Sequence, residues 1–388
     1  MRVVHVPDLR ERIELLSQLA ALDCDGEPTA VSAQRPKADF LRGSVVQVQR
    51  PDGPLTVMRT VQTSACERNC YYCAFRAGRS GLRRLTLTPD ELARGFDAMQ
   101  RTGVVSGLFL SSGIAGSSVR TMDAMLATAE LVRQKYHYRG YVHLKILPGA
   151  QPAQIEQAMR WADRVSVNLE GANAERLAGI APQKDFEAEL VSAMRYVHHV
   201  VRAQSPYRKV PSLVTQFVVG PAGESDRELL TTASQAYREM SLSRAYYSAF
   251  NPIPDTPLAG APATPAKREH RLYQADWLLR LYGFALEELP FEPAGALPAD
   301  MDPKMAWARL HLAQRPVEVN RSSRADLLRV PGIGPRMADT IVRARREGRL
   351  RELADLRSLG VAVRRAAPFI LLDGHRPTHQ IGLWDPPQ

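Results

Sequence analysis

Three of the four cysteines lie within eight residues, as Cys66-Glu-Arg-Asn-Cys70-Tyr-Tyr-Cys73, and the fourth, Cys24, stands alone. A disulfide framework spreads its cysteines along a secreted chain, so a cluster this tight reads as thiolate ligands in a reducing compartment. Soft thiolates at such spacing take zinc or an iron–sulfur cluster. Structural zinc needs four ligands, and no fourth Cys or His is near in sequence. A cubane on three thiolates instead leaves one iron open, as a substrate-binding cluster requires. Zinc or a purely structural cluster is the alternative. Cys24 reads as a spare thiol rather than a fourth ligand.

A second constellation lies near the other end, Leu327-Leu-Arg-Val-Pro-Gly332-Ile333-Gly334-Pro335-Arg336-Met-Ala338-Asp-Thr-Ile-Val342. Gly332 and Gly334 permit a tight hairpin and close backbone approach, Pro335 suits the first turn of a helix, and Ala338 lets two helices pack closely. This is a helix–hairpin–helix pattern. Free N–H groups at the second helix start form an anion site for a nucleic-acid phosphate. Gly332, Ile333, Gly334, Arg336 and Arg343 are the candidate DNA contacts, with Arg324, Arg329, Arg345 and Arg346 adding positive field. Residues 350–361 resemble a degenerate second copy. Such a site reads backbone rather than base sequence. Similar hairpins also dock proteins, and that alternative stays open.

Charge favours the DNA reading. The chain carries +10, and between Val317 and Arg376 13 Arg stand against seven acidic residues, a local excess of +6. Only seven basic residues are lysines against 44 arginines. Codon bias is a sufficient explanation of that ratio.

The elements that must position these groups alternate. Strand patterns at 55–62, 104–111, 141–147, 164–170, 212–219 and 245–250 are separated by amphipathic helical segments, the first opening at Thr88-Pro89 with Thr88 as N-cap. Strand–helix alternation implies parallel crossovers. Six such units predict a partial TIM-like (β/α)6 barrel in an α/β protein, with a small all-α domain at the C-terminus. The cysteines then fall in the loop after the first strand. In 164–170, Val165, Val167 and Leu169 share one face and Ser166, Asn168 and Glu170 the other; in 141–147, Tyr141, His143 and Lys145 oppose Val142, Leu144 and Ile146. A polar face turned inward implies a ligand-filled cavity, because buried polar groups need partners. A strand histidine such as His143 more often satisfies an interior hydrogen bond than binds a ligand, and His270 suits a solvated helix face.

With 388 residues, 45% apolar and 24% charged, the chain is an ordinary globular one with room for several domains. The expected order is a helical extension over 1–43, a barrel over 44–260, a helical bridge over 261–315, a hairpin domain over 316–376 and a polar tail over 377–388. No apolar run reaches the ~18 residues of a membrane span. The N-terminus lacks a signal-peptide pattern, so the expectation is a cytoplasmic protein without membrane contact.

The C-x3-C-x2-C spacing with Tyr72 before its last cysteine resembles that of the radical S-adenosylmethionine (SAM) enzymes. In that superfamily a [4Fe-4S] cluster binds SAM through its open iron. One electron, from a donor such as flavodoxin or ferredoxin, cleaves SAM to a 5′-deoxyadenosyl radical that abstracts hydrogen. The runs GLFLSSG, YVHLKILPGA, SVNLE, YYSAFNPIP, REHRLYQADWLLRLYGF, PVEVNRS and LLRVPGIG resemble, over nearly the whole chain, radical SAM proteins linked to DNA modification or repair and to a uracil-DNA-glycosylase-like partner. The resemblance implies Cys66, Cys70 and Cys73 as cluster ligands. Tyr72, Ser111, Ser112, Gly113, Asn168, Glu170, Gly220, Ser248 and Phe250 are implied around SAM. Ser111-Ser112-Gly113 departs from the usual Gly-Gly-Glu and lacks its carboxylate. Lys145 is a candidate partner for the SAM carboxylate or a substrate phosphate, and Tyr247, with Tyr246 beside it, a candidate hydrogen donor. A non-catalytic iron–sulfur adaptor that binds DNA, a glycosylase-like repair protein, and a radical enzyme acting on RNA or protein are the competing readings.

Overall fold

A computed structural model describes residues 7–20, 45–48, 53–79, 81–203 and 210–378. Cys24, most of the stretch expected as an N-terminal extension, and all but the first residues of the tail lie outside them. The chain divides into two units, one of the described residues up to Glu224 with Gln235–Pro265, the other of Ser225–Ser234 with the described residues from Ala266 onward. The segment anticipated as a bridge is thus, from Ala266, part of the C-terminal unit.

The first unit is built on one seven-stranded sheet in sequential order: β1 (Val45–Val48), β2 (Leu55–Val61), β3 (Gly107–Ser111), β4 (Tyr141–Lys145), β5 (Arg164–Ser166), β6 (Ser212–Val219) and β7 (Leu242–Ala249). From β2 to β7 every neighbour is parallel, as strand–helix alternation requires. The six anticipated strands are all present. β1 was not anticipated; it pairs antiparallel on β2. Residues from all seven strands line one cavity, so the sheet curls into a half-barrel. Val142, Leu144, Val165, Val167 and Leu169 are each at most 2% exposed, which places the apolar strand faces in the core and the polar ones inward.

The helices are α1 (Leu9–Ala20), α2 (Pro89–Arg101), α3 (Ser118–Gln134), α4 (Pro152–Trp161), α5 (Ala174–Ile180), α6 (Ser192–Ala203) and α7 (Asp226–Glu239). α2 starts where Thr88-Pro89 predicts, with a capping box in which Thr88 Oγ1 accepts from Glu91 N–H and Glu91 accepts from Thr88 N–H. Between β5 and β6 the sequence suggests one helix. The structure has α5, a π-helical stretch at Phe186–Val191, and then α6.

In the second unit, α8 (Ala266–Leu281) and α9 (Pro303–His311) precede β8 (Val317–Glu318), α10 (Arg324–Arg329), α11 (Pro335–Glu347), α12 (Leu353–Ser358), α13 (Val363–Ala366) and β9 (Ile370–Leu371). α10 and α11 form one helix–hairpin–helix and α12 and α13 the second. Leu327, Ile333, Ala338, Ile341, Leu356 and Ala366 are fully buried between them. Two residue pairs join β8 to β9 in parallel.

Candidate functional site

The cysteine loop leaves the C-terminal end of β2 and is held from three sides. Glu67 N–H donates to the Ile114 carbonyl and Tyr71 N–H to that of Ile180, each at 2.7 Å. Gly113 N–H donates to Thr63, and a Cβ at Gly113 would stand 2.3 Å from the Ala65 carbonyl oxygen. Only glycine lets Ser111-Ser112-Gly113 approach the loop so closely. The basic run after the loop closes it: Arg84 donates to the carbonyls of Ser64, Phe75 and Arg76, and Arg79 to that of Ala74. Arg68 reaches the Gln183 carbonyl and pairs with Glu189 at 2.6 Å.

That last clamp introduces a residue the sequence reading passed over. Lys184 Nζ donates to Tyr72 Oη at 3.0 Å and to Glu170 Oε1 at 3.2 Å, with both charged side chains at most 10% exposed. Burial pulls the Lys184 pKa down, but Cys70 and Glu170 more than reverse that, so the ammonium is held protonated. Burial pushes the Cys70 thiol up, with Lys184 working against it. The Tyr72 phenol is pushed well up by burial, then by Glu170 and the thiols, and stays neutral. Glu170 has φ +62°, a left-handed conformation costing a non-glycine residue about 1–3 kcal/mol. Two backbone hydrogen bonds pin it, Glu170 N–H to Gln216 O at 2.9 Å and Val218 N–H to Glu170 O at 2.8 Å. The strain aims a carboxylate at the cysteine loop.

An apolar patch adjoins this polar set. Val218, Ile180 and Phe250 are buried together, with Tyr72 and Leu258 packed against them. Gly220, at φ +110°, makes the turn that follows β6; its N–H donates to Glu224 Oε1 at 2.5 Å. Its amide is therefore engaged, and the space beside its Cα is taken by Thr264, whose Oγ1 would stand 2.0 Å from a Cβ at this position. Asn168 is buried on the inward face, 5% exposed. Lys145 ends β4, close enough to Lys184 for the two cations to repel. Ser248 pairs with Val218 in the register that sets Tyr246 beside Gln216 on the cavity face.

The register corrects one expectation. Tyr247 lies opposite Phe217 and stacks on it with centroids 5.8 Å apart, 1% exposed, on the sheet face away from the cavity. Tyr246 lines the cavity. A hydrogen donor drawn from this pair is therefore Tyr246, because adjacent strand residues point to opposite faces. His143 also lines the cavity, stacked on Phe109 at 4.2 Å, whereas His270 is exposed on α8.

In the hairpin, Gly332 takes φ +85°, and a Cβ there would meet the Ala362 carbonyl oxygen at 2.6 Å. Gly334 has φ −98° and caps α11 in ordinary extended geometry that any residue adopts. The Ile333 side chain is fully buried, leaving only its backbone for any ligand. Its carbonyl accepts from Lys304 Nζ at 2.6 Å. Arg336 and Arg343 are exposed. Arg329 and Arg345 are not part of a free positive field: Arg329 lies 3.8 Å over the Phe284 ring and pairs with Glu288, and Arg345 donates to the Val319 and Ser322 carbonyls.

Among the described residues no three His, Cys, Asp or Glu side chains converge on a single-ion site. Three thiols on one short loop, faced by a protonated lysine, suit an anionic polynuclear cluster rather than one ion. The residues fit a [4Fe-4S] cluster with SAM as its further ligand. No described helix is long and apolar enough to cross a membrane.

Two family models match parts of the chain. Residues 60–236 match the Radical SAM superfamily model and residues 313–360 the helix-hairpin-helix motif model. No curated protein matches the sequence. Among solved structures, the FeFe-hydrogenase maturase HydG from Carboxydothermus hydrogenoformans is similar at 14% identity and TM-score 0.44, over 56% of this chain and 50% of that one. The chain thus spans about half of that maturase's length. Methylornithine synthase (PylB) is similar at 14% identity and TM-score 0.43, over 69% and 66% of the two chains. A radical SAM methyltransferase from Sphaerobacter thermophilus is similar at 18% identity and TM-score 0.43, over 61% and 67%. Over residues 60–236 the chain is thus similar to the Radical SAM superfamily, and over 313–360 it is similar to the helix-hairpin-helix motif.

Proposed function

We propose that this enzyme acts on DNA, in modification or repair. Cys66, Cys70 and Cys73 hold the cluster. Ser111, Ser112, Gly113, Asn168 and Glu170 receive the polar end of SAM, while Tyr72, Gly220, Ser248 and Phe250 border its nucleoside. When bound, cluster and cofactor supply a radical able to take a hydrogen atom from substrate. Lys184 offsets the negative charge of the thiolates and fixes the Glu170 carboxylate and the Tyr72 hydroxyl. Lys145 orients an anionic group at the end of β4, and Tyr246 stands ready to return hydrogen to the product. A flavodoxin or ferredoxin supplies the electron, a uracil-DNA-glycosylase-like protein is the partner, and the setting is the cytoplasm.

The observation that carries the nucleic-acid reading is the hairpin. Its left-handed Gly332 leads into the N-terminus of α11, where Gly334 brings no side chain and Arg336 is exposed. A helix start of this kind binds phosphate through backbone amides and its dipole. The test is fluorescence anisotropy with duplex DNA, single-stranded DNA and RNA over a salt series. Duplex affinity is expected to fall with a log–log slope of about −0.9 per phosphate neutralised, with little sequence preference. Arg336→Glu with Arg343→Glu weakens binding more than about tenfold and flattens the slope by about two. Equal duplex affinity in the double variant makes the hairpin a protein-docking module instead, and tighter RNA binding moves the substrate to RNA.

A further inference from the structure

The barrel is hollow below the cysteine loop, toward the starts of the strands. Arg59, Phe109, His143, Arg164, Ser166 and Tyr246 face this space, and Val46 and Val48 of β1 border it. Its described lining includes two arginines and no aspartate or glutamate. Arg164 is fixed in place: Nε donates to Ser212 Oγ and Nη1 to Tyr246 Oη, both at 3.1 Å. Those partners are neutral, so they satisfy hydrogen bonds without balancing charge. Ser166, 4% exposed and on the same strand two residues on, turns a hydroxyl into the cavity that makes no hydrogen bond.

Both features carry a cost that one ligand removes. A guanidinium drawn out of bulk water among neutral groups is uncompensated, and a buried hydroxyl without a partner forfeits its hydrogen bonds. An oxyanion accepting from Arg164 and from Ser166 Oγ repairs both, and the guanidinium fork suits its paired oxygens. The geometry points to this cavity as the binding site for an oxyanion-bearing ligand, a phosphate or carboxylate group held by Arg164 and Ser166 with Arg59 adding charge. The inference rests on the proposed function at one point only, that substrate reacts inside the barrel. A space bounded by strands admits no duplex; it takes at most one unit of a polymer, which a DNA enzyme must first extrude. A nucleotide brings phosphate to Arg164, and a small acid brings carboxylate.

The test is equilibrium dialysis of the full-length, anaerobically reconstituted protein against three probes: inorganic phosphate, deoxynucleoside 5′-monophosphates and succinate. Variants are Ser166→Ala, which removes one oxygen, Arg164→Gln, and Arg195→Gln at an exposed arginine paired with Glu187. At least one probe is expected to bind, about ten- to a hundredfold more weakly in Arg164→Gln and several-fold more weakly in Ser166→Ala, with Arg195→Gln unchanged. A preference for the monophosphates assigns the site to a nucleotide, and one for succinate to a small acid. Absence of binding by all three probes, or equal binding to wild type and Ser166→Ala, overturns the site. DNA anisotropy on the same preparations separates the two readings. Intact hairpin-dependent DNA binding with no oxyanion binding sinks this site alone, and the converse sinks the DNA assignment alone.

Discussion

The cysteine loop and the hairpin each have a buried lysine behind them, and the two lysines are treated in opposite ways. Lys184 sits behind the cysteine loop with a carboxylate 3.2 Å away and thiols nearby, and is held charged. Lys304 sits behind the hairpin, 9% exposed, with the Ile333 carbonyl at 2.6 Å and the Tyr282 ring at 4.5 Å. Burial, then Arg365, bring its pKa down to about 7, with Asp302 opposing and Arg329 adding to the fall. Asp302 is already engaged by Arg365, and Glu288 by Arg329. The cysteine loop, with Cys70 and Glu170 beside its lysine, keeps that cation. The hairpin already has Arg365 and Arg329 beside its buried lysine, which serves as a hydrogen-bond donor to the turn.

Removing what each lysine serves gives the largest effects. Ala at Cys66, Cys70 or Cys73 should abolish the visible absorption of the reconstituted cluster, whereas Cys24→Ala should keep it; iron and sulfide analysis reads both. Next in size, Lys184→Met leaves Glu170 buried without its partner. Apo-protein stability in denaturant melts should fall by about 3–5 kcal/mol, and Glu170→Gln in the same chain should recover part of it. Full recovery of stability with no recovery of cluster retention would show that the cation acts on the thiolates as well as on Glu170.

Lys304 predicts a pH dependence of the reverse kind. Its folded pKa of about 7 lies below the ordinary lysine value of about 10.4, so between the two the unfolded chain binds the extra proton. Stability of the hairpin unit should therefore rise with pH across that window, with a slope approaching 1.4 kcal/mol per pH unit at about pH 8–9. Lys304→Met should flatten the slope in thermal melts. The smallest effect separates the two hairpin glycines. Gly332→Ala meets both a left-handed φ and the Ala362 carbonyl, and should cost about 1–3 kcal/mol. Gly334→Ala meets only the Tyr282 hydroxyl at 3.4 Å and should cost less than about 1 kcal/mol in the same melts.

Much of this was legible because it is written in local pattern. The cysteine spacing, the period-two alternation that turns Ser166 and Asn168 inward, and the glycines of the hairpin each depend on neighbours in sequence. Lys184 was not legible. It follows a short helix the sequence did not announce, and its role exists only through contacts with Glu170, 14 residues away, and Tyr72, 112 away. The one available signal was composition, since lysines are rare in this arginine-rich chain and two of the seven are these buried ones. Tyr247 was misplaced because two adjacent tyrosines look alike in sequence, and only the register with β6 says which faces inward. β1 has just four residues and no helix after it, so the strand–helix rhythm gave it no place.

The proposed reaction, in which a radical generated at the cysteine loop takes hydrogen from DNA, is open to a direct test. Reduced, reconstituted enzyme should be incubated anaerobically with SAM and oligonucleotides deuterated at defined positions, and the 5′-deoxyadenosine analysed by mass spectrometry. One deuterium should appear in the product from one class of labelled position, and Arg336→Glu with Arg343→Glu should suppress it. Formation of 5′-deoxyadenosine at a rate independent of DNA, with no deuterium from any labelled position, would rule out DNA as the hydrogen donor.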